Sequence, residues 1–161
     1  HATPARRPEF LLGKQLPYIG VGMVTFVTLL ALAVTLFGVP VHGSIAALAL
    51  GALLYVTATT ALGLLISAFV RSQVAALFAA AIISVIPAIN FSGFLAPLSS
   101  LEPLPHALGV LFPASWFQDI TLGTFARGLS MPALVTEYLA LIAFATVFLV
   151  LAIALLPEQE R

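Results

Sequence analysis

From Ser44 to Val70 the chain reads SIAALALGALLYVTATTALGLLISAFV, with no Lys, Arg, Asp or Glu anywhere in it. Apolar residues cover every face of this run instead of one stripe, so no side of it is suited to water. A hydrocarbon core about 30 Å thick is crossed by roughly 20 apolar residues in helix, and the run predicts a membrane span. Barrel strands alternate apolar and polar residues over about 10 positions, a pattern absent here. Working outward, similar runs occupy Leu16 to Gly38, Val74 to Pro97 and Pro132 to Leu156, with Glu137 their only charge. The fold class is therefore read as an all-α membrane protein with four transmembrane helices, at 16–38, 44–70, 74–97 and 132–156.

Composition agrees. Of 161 residues, 61% are hydrophobic and 7% charged, where soluble domains carry roughly 25% charged residues. The mean hydropathy is +1.17, so lipid is expected to solvate much of the chain. Net charge is zero, and no basic face invites nucleic acid. With no cysteine, disulfides, thiolate metal sites and cysteine nucleophiles are excluded. The chain opens on His1 instead of Met, so a longer protein is expected, and no signal peptide is recognisable at this end.

The connections set an orientation. Val39 to Gly43 is a tight turn, Arg71-Ser72-Gln73 a short polar one, and 98–131 a long mixed one. Four spans put Arg6, Arg7, Lys14, Arg71 and Arg161 on one side and only Arg127 on the other. The positive-inside rule makes the first side cytoplasmic, including the 157–161 tail. The outer loop carries Glu102, His106, Asp119 and Arg127, and Pro103, Pro105 and Pro113 divide it. Pro105 to Phe112 and Ser115 to Ala126 are expected as short helices, the second capped by Ser115, resting in the outer interface or dipping into it. Trp116 and Phe117 suit an interfacial belt, and Asp119 and Arg127 read as loop charges.

No catalytic constellation appears. His1, His42 and His106 lie outside the spans, and HExxH, GxSxG and GxxxxGK[ST] are all missing, so no catalytic residue, metal ligand or nucleotide loop is assigned. The polar span residues remain: Thr25, Thr28 and Thr35 in the first, and Thr57, Thr59 and Thr60 in the second. Each either bonds back to the preceding turn or lines a route; Thr25, Thr57 and Thr60 are taken as path candidates. Asn90, roughly 28 Å along the helix from Arg71, follows Pro87 and precedes Ser92-Gly93. Two readings stand for it: an Asn packed at a kink formed by Pro87 and Gly93, or a residue lining a substrate path. Glu137 suits the start of the last helix as a capping acid.

The segment 1–15 is a basic, Pro-punctuated piece whose charges an ordinary positive-inside anchor would explain. Its order, Thr3-Pro4-Ala5-Arg6-Arg7-Pro8-Glu9-Phe10-Leu11-Leu12-Gly13-Lys14, resembles the segment before the third span in permease subunits of type-2 ATP-binding cassette (ABC) exporters. The similarity continues in Phe37-Gly38-Val39-Pro40 with Gly43-Ser44, and in Leu62-Gly63-Leu64-Leu65-Ile66-Ser67 followed by Arg71-Ser72-Gln73. It extends through Ser92-Gly93-Phe94 and through Phe112-Pro113-Ala114-Ser115-Trp116-Phe117 to Arg127-Gly128.

The resemblance implies the third to sixth spans of a six-span permease in the inner membrane, with both ends of this piece cytoplasmic. It implies that 1–15 is a coupling-helix-like element, with Arg6, Arg7, Glu9 and Lys14 seated on a partner ABC ATPase that holds the ATP and Mg. It further implies a second permease copy or homologous half, and outer helices that gate or line the exit. Pro8 departs from the pattern, either shortening the element or occupying its first turn. The expected function is ATP-driven export without catalysis in this chain; the rival reading is a non-transporting membrane anchor or assembly subunit.

Overall fold

The computed structural model describes residues 6–91 and 103–155, and all regular structure among them is helical. Helix α1 spans Arg7–Thr35, α2 Ile45–Phe69, α3 Gln73–Phe91, α4 Pro103–Val110, α5 Pro113–Phe125 and α6 Val135–Leu155, the last preceded by a 3-10 turn at Met131–Leu134. Three stretches, Pro8–Thr35, Ile45–Phe69 and Met131–Leu155, are long and apolar enough to cross a membrane. The chain is thus a multi-pass membrane protein. Of the run expected at 74–97, α3 covers Gln73–Phe91, and residues 92–102 lie outside the described part.

The amino-terminal element and first span, expected as separate pieces, form one helix. Pro8 sits in its first turn, where its missing N–H would have no partner anyway. The Glu9 carboxylate accepts the Arg6 backbone N–H at 3.2 Å and holds the start. Pro17 lies inside without ending the helix, as neighbouring helices in a bilayer permit. The other end closes around Gly38, at φ +63°, where Val39 N–H reaches back to the Ala33 carbonyl. The same device recurs after α5: Gly128 is at φ +64° and Leu129 N–H donates to the Gly123 carbonyl.

Helices α2 and α6 run parallel, both starting at the end marked by Ser44, whose side chain accepts the Ala47 N–H. They pack against each other more extensively than any other pair. Small residues are buried along both helices, Ala47, Ala52, Ala58 and Ala61 of α2 and Ala152 of α6, and small side chains let helix axes approach where lipid gives no hydrophobic drive. The core joins Ala47 and Leu48 to Ile120, Leu134, Tyr138 and Leu141. Tyr138 donates its hydroxyl to the Ala47 carbonyl at 2.7 Å.

Helix α5 does not rest on the surface. Its Phe117 ring stacks on Tyr55 at 4.6 Å, Ile120 meets Gly51, and the Thr124 carbonyl accepts the Gly43 N–H. It therefore runs antiparallel to α2, with Phe117 level with Tyr55, about 16 Å along α2 from Ser44, and Thr124 back at the Ser44 end. Ser115, expected as its cap, lies inside the helix: Phe112 is the N-cap and Pro113 the first helical residue. The Ser115 hydroxyl instead donates to the Gly109 carbonyl and Trp116 Nε1 to the Val110 carbonyl, so α5 satisfies the carboxyl-terminal carbonyls of α4. Trp116 and Phe117, expected in an interfacial belt, pack against the core.

Candidate functional site

The charged end of α1 is an exposed helix terminus. Glu9 is engaged with the Arg6 backbone, and Lys14 Nζ lies 5.2 Å from the centroid of the Phe10 ring, a cation–π contact. Arg6, Glu9 and Lys14 are exposed; Arg7 opens the helix, and its side chain lies outside the described part. Because α1 is unbroken, these residues are on the same helical rod as the apolar segment that follows.

One turn beyond Leu11 on that rod stands Gln15, 2% exposed. Its Nε2 donates to the Thr57 carbonyl and to Thr60 Oγ1, both at 2.9 Å. Thr60 Oγ1 passes its own hydrogen to the Val56 carbonyl at 2.7 Å. Burying an amide in hydrocarbon is unfavourable unless its hydrogens find acceptors, and α2 supplies two of them.

Beside this clasp lies a half-open cavity of about 290 Å³ lined by α1, α2 and α6. Leu12, Gln15, Leu16 and Ile19 line it from α1, Leu54 and Thr57 from α2, and Ile142, Ala145, Thr146 and Leu149 from α6. The Thr57 and Thr146 hydroxyls donate to the Leu53 and Ile142 carbonyls of their own helices. The cavity thus offers an apolar wall with one buried amide.

The family model described as ABC-2 family transporter protein matches residues 1–154. The chain belongs to the ABC-2 transporter family. It is 33% identical over 148 residues to the probable multidrug ABC transporter permease YbhS of Escherichia coli strain K12, and equally to that of strain O157:H7. The alignment covers 92% of this chain and 39% of those proteins, so the ABC-2 chain spans about two fifths of the length of the curated relatives it matches. No solved structure matches it.

Within this ABC-2 chain the path candidates fall into separate places. Thr57 lines the cavity and Thr60 accepts from Gln15. Thr25 is exposed, with its hydroxyl donating to the Val21 carbonyl at 2.9 Å. Asn90 is also exposed, and its Nδ2 donates to the Ile86 carbonyl at 2.8 Å, so its amide finds an acceptor one turn back. Helix α3 continues through Pro87 to Phe91, while Gly93 and the Pro87 ring lie outside the described part. Gln15 is the residue sequence reading missed. It sits at the junction of the amino-terminal element and the first span, and only its apolar neighbours Leu11 and Ile19, each one turn away, marked its position as inward.

At the Ser44 end, Glu137 occupies the first turn of α6, and its Oε2 is buried without a hydrogen-bond partner among the described residues. Asp119, read as a loop charge, lies on α5 and is half-buried. Burial, and then the charge of Glu137, raise its carboxyl above the ordinary range, with Arg127 opposing them.

Proposed function

We propose that this chain is the membrane-spanning part, third to sixth spans, of an ATP-driven ABC-2 export permease in the inner membrane. The observation that carries the reading is the continuity of α1, which joins the exposed Arg6–Lys14 end to a cavity-lining segment without a break. A partner ATPase holding ATP and Mg would press on Arg6, Arg7, Glu9 and Lys14, and a rigid helix would carry that movement inward. The apolar run 74–97, of which α3 is the described part, supplies the remaining span. The exposed apolar residues Leu77, Phe78, Ile82 and Val85 on α3 suit lipid, further spans of this protein or a second permease copy. The basic residues Arg6, Arg7, Lys14, Arg71 and Arg161 make the α1 start cytoplasmic. The E. coli relative is named a multidrug permease, and the apolar cavity is consistent with uncharged, lipophilic cargo.

The test is ATP turnover of the full-length protein with its ATPase, compared between wild type and an Arg6→Glu, Arg7→Glu variant. Loss of assembly or of permease-dependent turnover supports docking at this end. Unchanged turnover, or no associated ATPase, favours a membrane anchor instead.

A further inference from the structure

Helix α1 is held to the rest of the bundle along one narrow seam. Leu11 is 3% and Gln15 2% exposed, whereas Leu16, Tyr18, Val21, Val24 and Leu29 are open to lipid. Two turns beyond Gln15 on the same stripe, Gly22 meets α2 so closely that a Cβ there would lie 2.6 Å from Val56 Cγ1. Among the described residues, the only side-chain hydrogen bonds from α1 to another helix are the two from Gln15 to Thr57 and Thr60. In a bilayer, lipid tails are as apolar as the packed side chains, so apolar contacts alone weakly resist sliding of one helix on another. An amide bonded to two acceptors, on residues three apart along α2, has a single register and does resist it.

We propose that Gln15 is a positioning residue that transmits movement of the Arg6 end of α1 to α2, an inference that rests on the ATPase-docking reading above. When nucleotide drives that end, the Gln15 clasp makes α2 follow instead of slip. The wall of the cavity moves with it, because Gln15 and Thr57 both line that wall.

The experiment uses spin labels at Leu12 and Phe69, both exposed, in the full-length protein bound to its ATPase in lipid nanodiscs. Distances between the labels are measured without nucleotide and with ATP plus vanadate. Wild type should keep one narrow distance in both states. Gln15→Leu, similar in size and apolar, should stay narrow at rest but shift or broaden with nucleotide by on the order of 5 Å, one helical turn. Thr60→Val should do so more weakly, Thr60→Ser should behave as wild type, and Gln15→Leu with Thr60→Val should be no worse than Gln15→Leu alone. A distance unchanged by nucleotide in Gln15→Leu overturns the inference while leaving the permease reading intact. A broadening already present at rest marks a merely structural clasp and also overturns it. If no ATPase binds wild type, the permease reading fails and takes this inference with it.

Discussion

Gly43 donates its backbone N–H to the Thr124 carbonyl at 2.8 Å, and the two strands of backbone meet so closely that no side chain fits between them. A Cβ on Gly43 would lie 2.6 Å from the Leu129 carbonyl oxygen and 2.9 Å from that of Thr124. His42 Nδ1 contacts the Phe125 carbonyl at 2.7 Å beside it. The turn between α1 and α2 is thereby locked onto the end of α5.

Gly43→Ala should consequently lower the thermal midpoint in detergent, by the equivalent of about 1–3 kcal/mol for an overpacked site. Gly51→Ala is the milder control. Its added Cβ would meet the Ile120 side chain at 2.8 Å, and a side chain can rotate where a backbone carbonyl cannot. Equal midpoints for the two variants would show that the turn has other ways to dock.

Tyr138→Phe removes only the hydroxyl that reaches the Ala47 carbonyl. We expect a loss of about 0.5–1.5 kcal/mol, the net worth of one hydrogen bond, read as a reduced midpoint without change of oligomeric size. No change would mean that the Ala47 carbonyl is adequately satisfied within α2.

Asp119 makes the stability of the Ser44 end pH-dependent. Its folded pKa is raised above the ordinary 3.8, so the native state holds this proton more tightly than the unfolded chain. Its contribution is complete below about pH 4 and is lost as pH rises through the raised value. Asp119→Asn, neutral at every pH, should raise the midpoint at neutral pH and flatten the midpoint-versus-pH curve above about pH 4. An unaltered curve would show that the carboxylate is fully stabilised where it sits.

Ser115→Ala and Trp116→Phe should act on α4 rather than on α5, since their partners are the Gly109 and Val110 carbonyls. Hydrogen exchange should quicken across Pro103–Val110 in each variant while α2 keeps its protection. Faster exchange confined to α5 would count against this joint.

Composition and the uninterrupted runs around Ser44–Val70 and Pro132–Leu156 determined by themselves that this chain lives in a bilayer and is built from helices, because lipid leaves the backbone few other ways to satisfy its polar groups. The order and spacing of the pieces from Thr3–Lys14 through Phe112–Phe117 to Arg127-Gly128 likewise placed it near the ABC-2 permeases. Tertiary structure alone decided the rest. Ser115 looks like a cap in sequence, but Pro113 claims the first helical position and turns the hydroxyl toward Gly109. Helix α5, expected to rest in the outer interface or dip into it, is held against α2 by the match of Ile120 to Gly51 and Phe117 to Tyr55. Gln15 carries no local signal of its role, since its two acceptors lie more than forty positions along the chain, and such a meeting depends on how the helices pack.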